Sequence, residues 1–202
     1  MLNAQARFLE NMKQAAALGS LYDHLVATVA IPNAFDDLLR SQIVYSISAF
    51  DKLIHDLIRV GMVQTFAGTR AATPKYLNEG IQLRHLTALS AGSIPPPDVA
   101  FEQIVRDKLS VLSFQDPAKL ADGLSYVWTE PQKWQVIAGA LGVSDEDART
   151  TLRLISTRRN AIVHEADLHP ISHLKQPISK QEALDASSFL VALGTEICNR
   201  VI

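Results

Sequence analysis

Between Asp36 and about Phe66, apolar side chains recur at Ile43, Ile47, Phe50, Ile54 and Leu57, in steps of three and four that keep them on one side of a helix. Lys52, Asp56 and Arg59 fall on the opposite side. A helix of this length cannot bury so long an apolar stripe alone, so the rest of the chain must supply other amphipathic helices to cover it.

Two further segments have the same character. Phe8, Met12, Ala15, Leu18, Tyr22 and Leu25 share one face from Gln5 to about Val29, and Pro32 ends or redirects that helix. Near the C-terminus, Ser179 and Glu182 form a capping box, and Ala186, Leu190, Leu193, Ile197 and Val201 stripe the helix that follows. Ser144 with Asp147, a shorter acid in the same spacing, opens a helix to about Glu165.

From about residue 68 to 142 the period weakens. Thr73-Pro74, Asn78-Glu79-Gly80, Ala91-Gly92-Ser93 and the prolines at 95, 96 and 97 punctuate it, the last as a stiff connector. A short helix is expected around Ile81 to Leu89, one capped by Asp98 through about Leu112, one opened by Asp116 and Pro117, and one from near Pro131 to Gly142. The expectation is an all-α antiparallel bundle in one domain, residues 1–202, with an inserted short-helix region at about 68–142.

Composition narrows the functions open to such a bundle. A length of 202 residues suffices for one substantial core, and 48% hydrophobic against 20% charged residues excludes a disordered chain. The formal net charge of −2 excludes a broad basic clamp along duplex nucleic acid, so any nucleic-acid contact must be local. Cys198 is the only cysteine, which rules out an internal disulfide framework and a multi-cysteine metal site and fits a reducing compartment. Glu10, Lys13 and Asp23 interrupt the apolar run near the N-terminus, and no stretch is long and apolar enough to span a bilayer, so a cytoplasmic location away from membranes is expected.

The chemistry concentrates on the helix after Ser144. Its apolar stripe is Ala148, Leu152, Ile155 and Ile162, and at about 100° per residue Arg159 falls in the middle of it. A guanidinium aimed inward needs a carboxylate partner, such as Asp51 across the bundle, or a route to water along its stem, or a pocket built for an anion. Asn160 and His164 share a different face, with His164 roughly 140° from Arg159. From a straight helix the two cannot reach one atom, but a two-fold axis along the helix edge brings the histidine of one copy to the arginine of the other. Two copies also supply two imidazoles, one to accept a proton and one to donate. Asn160 can orient His164 or bond a phosphate oxygen. Arg158, about 100° from Arg159, is either a solvated surface charge or a group that steers phosphates. His164 has its own plain alternative, a histidine interacting with the last carbonyls of its helix.

Arg159-Asn160-x-x-x-His164, within Ile155 to Asp167, resembles the Arg-polar-x-x-x-His motif of the HEPN superfamily, and in detail its RiboL-PSP-HEPN branch among prokaryotic toxin and phage-defence genes. A looser resemblance covers Ser46, Ala49, Phe50 and Asp51 with His55-Asp56-Leu57, and Phe114-Gln115 through Leu141-Gly142, so that it spans about residues 36 to 201. The resemblance implies cofactor-free, metal-independent cleavage of single-stranded RNA by a homodimer, with a neutralising antitoxin or regulatory protein as a further partner. The ribose 2′-OH attacks its own phosphate and leaves a 2′,3′-cyclic phosphate and a 5′-OH. Arg159 and His164 are then the catalytic pair, Asn160 and Asp51 support them, and Arg158 contacts the RNA. An imidazole, with an intrinsic pKa of about 6.5, serves as base or acid near neutrality, and a guanidinium grips a phosphorane through two parallel N–H bonds. The family also includes non-catalytic modules that bind a nucleotide or a partner protein, which is the alternative reading.

Other signals carry less. His169 and His173 have the four-residue spacing of a helical metal pair, but Pro170 and Pro177 argue against a regular helix there, and no metal site is assigned. Gly139 to Gly142 lacks the strand and lysine of a phosphate-binding loop. Cys198 lies near the apolar stripe of its helix and reads as packing.

Overall fold

An isolated helix is marginal in water, so these segments form by covering one another's apolar faces. The computed structural model describes residues 1–29, 35–90 and 92–202. Among them the chain is all-α, with α1 (Leu2–Val29), α2 (Asp36–Phe66), α3 (Pro74–Leu77), a 3₁₀ turn (Leu83–His85), α4 (Pro97–Leu109), α5 (Pro117–Leu124), α6 (Lys133–Leu141), α7 (Asp145–His164) and α8 (Lys180–Val201). Pro32 and Ala91, two of the expected breakpoints, lie outside the described residues.

The long helix that dictates the architecture is α2, which packs against α1, α4, α5, α7 and α8. Its stripe of Ile43, Ile47, Phe50, Ile54 and Leu57 is buried throughout, as are Ala186, Leu190, Leu193, Ile197 and Val201 of α8. A polar contact sets the register between these helices: Gln42 Nε2 donates to Ser187 Oγ at 3.1 Å, and the Ser46 and Ser187 hydroxyls lie 2.9 Å apart, all three residues buried. On α1 the burial is graded. Phe8, Met12 and Ala15 are buried, whereas Leu18, Tyr22 and Leu25 are only half-buried.

The segment from 68 to 142 shares this core, into which it sends Phe101, Val105, Phe114, Leu120, Leu124 and Ile137. Asp116 caps α5 by accepting from the amides of Ala118 and Lys119, with Pro117 at the first helical position, as the sequence predicts. Two expectations need correction. The helix sought at Ile81 to Leu89 is a single 3₁₀ turn, because Ile81, Leu83 and Leu86 stay exposed and no burial drives helix formation. Asp98 sits within the first turn of α4 instead of capping it, since Pro97 takes the first helical position, where a missing N–H costs nothing.

No helix of the described residues is long and apolar enough to cross a membrane. Arg70 ties the ends of the bundle together, with Nη2 donating to the carbonyls of Val127 at 2.9 Å and Val201 at 2.7 Å.

α8 packs tightly against α1 and α2 at Gly194. A Cβ there would stand 2.7 Å from two Phe8 ring atoms and 3.0 Å from Leu53 Cδ2, in a fully buried contact. Gly194→Val is therefore expected to cost about 1–3 kcal/mol by overpacking. Thermal unfolding should show a midpoint several degrees lower, and an unchanged melt would mean that α1 yields without penalty.

Candidate functional site

Gly142, left-handed at φ +72°, ends α6, and Ser144 caps the start of α7, its hydroxyl accepting from Asp147 N at 3.0 Å. Asp145, Glu146 and Asp147 occupy its first turn, where the helix dipole favours negative charge. Ala148, Leu152 and Ile155 are buried against the core and Ile162 packs on it half-buried, so the predicted stripe is the inner face.

Arg159 lies on that inner stripe and is half-buried. Its Nη1 donates to Asn160 Oδ1 at 3.0 Å, and its Nε is buried with no acceptor. The carboxylate proposed to hold it is engaged elsewhere. Asp51 Oδ1 accepts from Phe114 N at 2.6 Å, and Asp51 Oδ2 lies 3.8 Å from His55 Nε2. Phe114 belongs to the non-helical link between α4 and α5, where a backbone amide without a helical acceptor takes the nearest oxygen. Asp51 therefore organises that link and does not pair with Arg159.

His164 is the last residue of α7 and is exposed, as is Asn160 one turn before it; among the described residues the imidazole makes no hydrogen bond. The outward surface of this helix also carries apolar side chains, with Leu154 64% and Val163 45% exposed. Beside Leu154, an open groove of about 380 Å³ runs between α7 and α8, lined by Ile43, Thr151, Ile155, Ile178 and Ala186.

Arg158 is not the solvated surface charge that was one reading of its position. It is half-buried, with Nη1 donating to Gln176 Oε1 at 3.1 Å and Nη2 to Asp167 Oδ2 at 3.0 Å and to Pro177 O at 2.9 Å. The same Asp167 oxygen receives Arg40 Nε at 2.6 Å. Arg40 also donates to Gln176 O at 2.6 Å and to Asp37 Oδ1 at 3.0 Å, and Lys175 Nζ meets Asp37 at 2.7 Å. Burial opposes the charge of Arg40, but the bonds and charges of Asp167 and Asp37 outweigh it and raise its pKa. Lys175, with Arg40, holds the Asp37 carboxyl below its ordinary value despite partial burial.

Sequence reasoning missed Arg40 and Asp167. A signal for Arg40 was present, since it stands three residues before Ile43 on the stripe of α2 and so had to point inward. Asp167 carried none, because it lies beyond the helix in a loop whose path no periodicity reports. That loop doubles back: Leu168 and Lys175 form an isolated antiparallel bridge, and His169 N donates to Leu174 O at 2.9 Å. His169 Nδ1 accepts from the amides of Ile171 and Ser172, so His169 and His173 do not face one another from a helix. Among the described residues no group of three or more His, Cys, Asp or Glu is placed to hold a metal ion.

No curated protein and no solved structure matches the chain significantly. The RiboL-PSP-HEPN family model, in contrast, matches residues 10–202 and so takes in every helix from within α1 onward. With a match over nearly the whole length and an all-α bundle that carries Arg159, Asn160 and His164 on its penultimate helix, the chain belongs to the RiboL-PSP-HEPN family.

Proposed function

We propose that the protein is a metal-independent endoribonuclease that cuts single-stranded RNA as a homodimer, serving as a toxin or phage-defence effector. The observation that carries this reading is Arg159, a guanidinium on the core-facing stripe with a buried Nε and, among the described residues, no carboxylate and one neutral partner, Asn160. A half-buried positive charge left without a counter-ion is ready to receive an anion, and a phosphate is one whose oxygens a guanidinium can bond in pairs. The exposed His164, without a hydrogen bond among the described residues, and the exposed apolar Leu154 and Val163 of the same helix support docking of a second copy along α7.

In the shared cleft, one His164 takes the proton of the ribose 2′-OH while O2′ forms its bond to phosphorus. The P–O5′ bond breaks, and the partner's His164 donates its proton to O5′. Arg159 holds the non-bridging oxygens as negative charge builds on the phosphorane. The products are a 2′,3′-cyclic phosphate and a 5′-OH, with no net consumption of water.

Purified protein is expected to cut single-stranded RNA in EDTA and to leave 2′,3′-cyclic ends. Arg159→Ala should abolish cutting and Arg159→Lys should not restore it, because a point charge cannot make two parallel bonds. Cleavage that survives Arg159→Ala in a clean preparation would remove this reading. Absence of cutting by wild type, together with nucleotide or protein binding that depends on Arg159, would make the chain a non-catalytic module.

A further inference from the structure

Arg158 and Arg159 are neighbours in different circumstances, and one buried carboxylate accounts for the difference. Asp167 has no exposed surface, and its Oδ2 receives both Arg40 Nε from α2 and Arg158 Nη2 from α7. Its backbone is engaged as well: Asp167 N donates to Ala161 O at 2.9 Å, and its carbonyl accepts from Gln176 N at 2.8 Å. Ala166 and Asp167 both adopt left-handed backbone, at φ +52° and +59°, and turn the chain sharply after His164 so that the carboxylate faces inward. A single residue thus joins α2, the last turn of α7 and the loop that follows.

His164 has no bond of its own among the described residues, so its placement is that of the helix end that carries it. Terminal turns fray unless something ties them down. We infer that Asp167 is a positioning residue of the RNA-cleaving site: its clamp on Arg40 and Arg158 fixes the turn that presents His164 and draws Arg158 to the loop side, leaving Arg159 as the arginine that meets the phosphate. The inference rests on the reading of Arg159 and His164 as a ribonuclease pair.

The test measures wild type, Asp167→Asn, Arg158→Gln and His164→Ala on one RNA substrate in EDTA, well below each melting transition, with circular dichroism and sedimentation matched to wild type. Asparagine tolerates the left-handed backbone and keeps one accepting oxygen, but it loses the charge. Asp167→Asn should lower kcat by about tenfold or more with KM within about threefold, the pattern of a lost transition-state arrangement. Arg158→Gln removes one arm of the clamp without stranding a buried charge and should lower kcat in the same way by about threefold or more; it carries the test if Asp167→Asn does not fold. Amide hydrogen exchange over residues 161–168 should accelerate in both variants.

Wild-type kcat in folded Asp167→Asn and Arg158→Gln, with His164→Ala inactive, would overturn the inference and leave the ribonuclease reading intact. A raised KM with unchanged kcat for Arg158→Gln would also overturn it, by making Arg158 a phosphate contact. Wild-type cleavage by His164→Ala would remove both.

Discussion

His164→Ala is expected to lower RNA cleavage by about 10²- to 10⁴-fold, the usual worth of a positioned general acid or base. The thermal midpoint should stay within about two degrees, since surface substitutions away from special features fall within roughly 0.5 kcal/mol. That separation follows from the placement of His164, exposed at the end of α7 and bonded to nothing among the described residues. Mixed with Arg159→Ala subunits, the His164→Ala chain should not regain its cutting, because the reaction needs one imidazole to accept a proton and a second to donate one. Each mixed pair holds one intact histidine opposite one intact arginine. Rate measurements on the separate and mixed variants check both statements. Recovery of cutting in demonstrated mixed dimers would mean that one histidine suffices at each phosphate and would overturn the two-histidine mechanism.

The second large effect concerns stability. Arg40→Met removes the arginine that donates to Asp167 at 2.6 Å in an interior where both side chains are nearly inaccessible to water. Breaking a buried pair by deleting one partner costs about 3–5 kcal/mol, because the other charge stays behind. Arg158 still reaches Asp167 at 3.0 Å, so the lower end of that range applies here. For a chain of this size the thermal midpoint should fall by roughly 6–12 °C. The double variant Arg40→Met with Asp167→Asn should lose clearly less than the sum of the two single variants, since the stranded charge is gone. A wild-type melting temperature for Arg40→Met would mean that the interior pair stabilises nothing.

The helices were legible wherever apolar spacing and capping chemistry agreed. The stripe of α2, the capping box at Ser179 and Glu182, and the start of α5 at Asp116-Pro117 all followed from local rules. The stretch around Leu83 was not legible, because spacing reports only that apolar residues can share a face and not whether a neighbour covers them. For the candidate site, helical rotation placed Arg159 on the inner face but could not name its surroundings. Asp51 was a reasonable partner by type and position, yet it serves Phe114 N. The partners that matter are 127 positions apart in the case of Arg40 and Asp167, and a pairing of that separation is set by tertiary packing alone. Arg158 shows the same limit: two adjacent arginines look equivalent in one dimension, and only the course of the loop after His164 decides which of them is occupied.

The separation of Arg40 from Asp167 also bears on the order of synthesis. A chain leaves the ribosome N-terminus first, at about 5–20 residues per second. Arg40 is therefore made long before the acceptors at Asp167 and Gln176 that hold it, and the strip carrying Arg159 and His164 emerges ahead of α8, which completes the packing around α2. A nascent polypeptide that stops short of residue 159 has neither motif nor Asp167, and one that stops between Asp167 and Lys180 has both but lacks the helix that closes the bundle around α2.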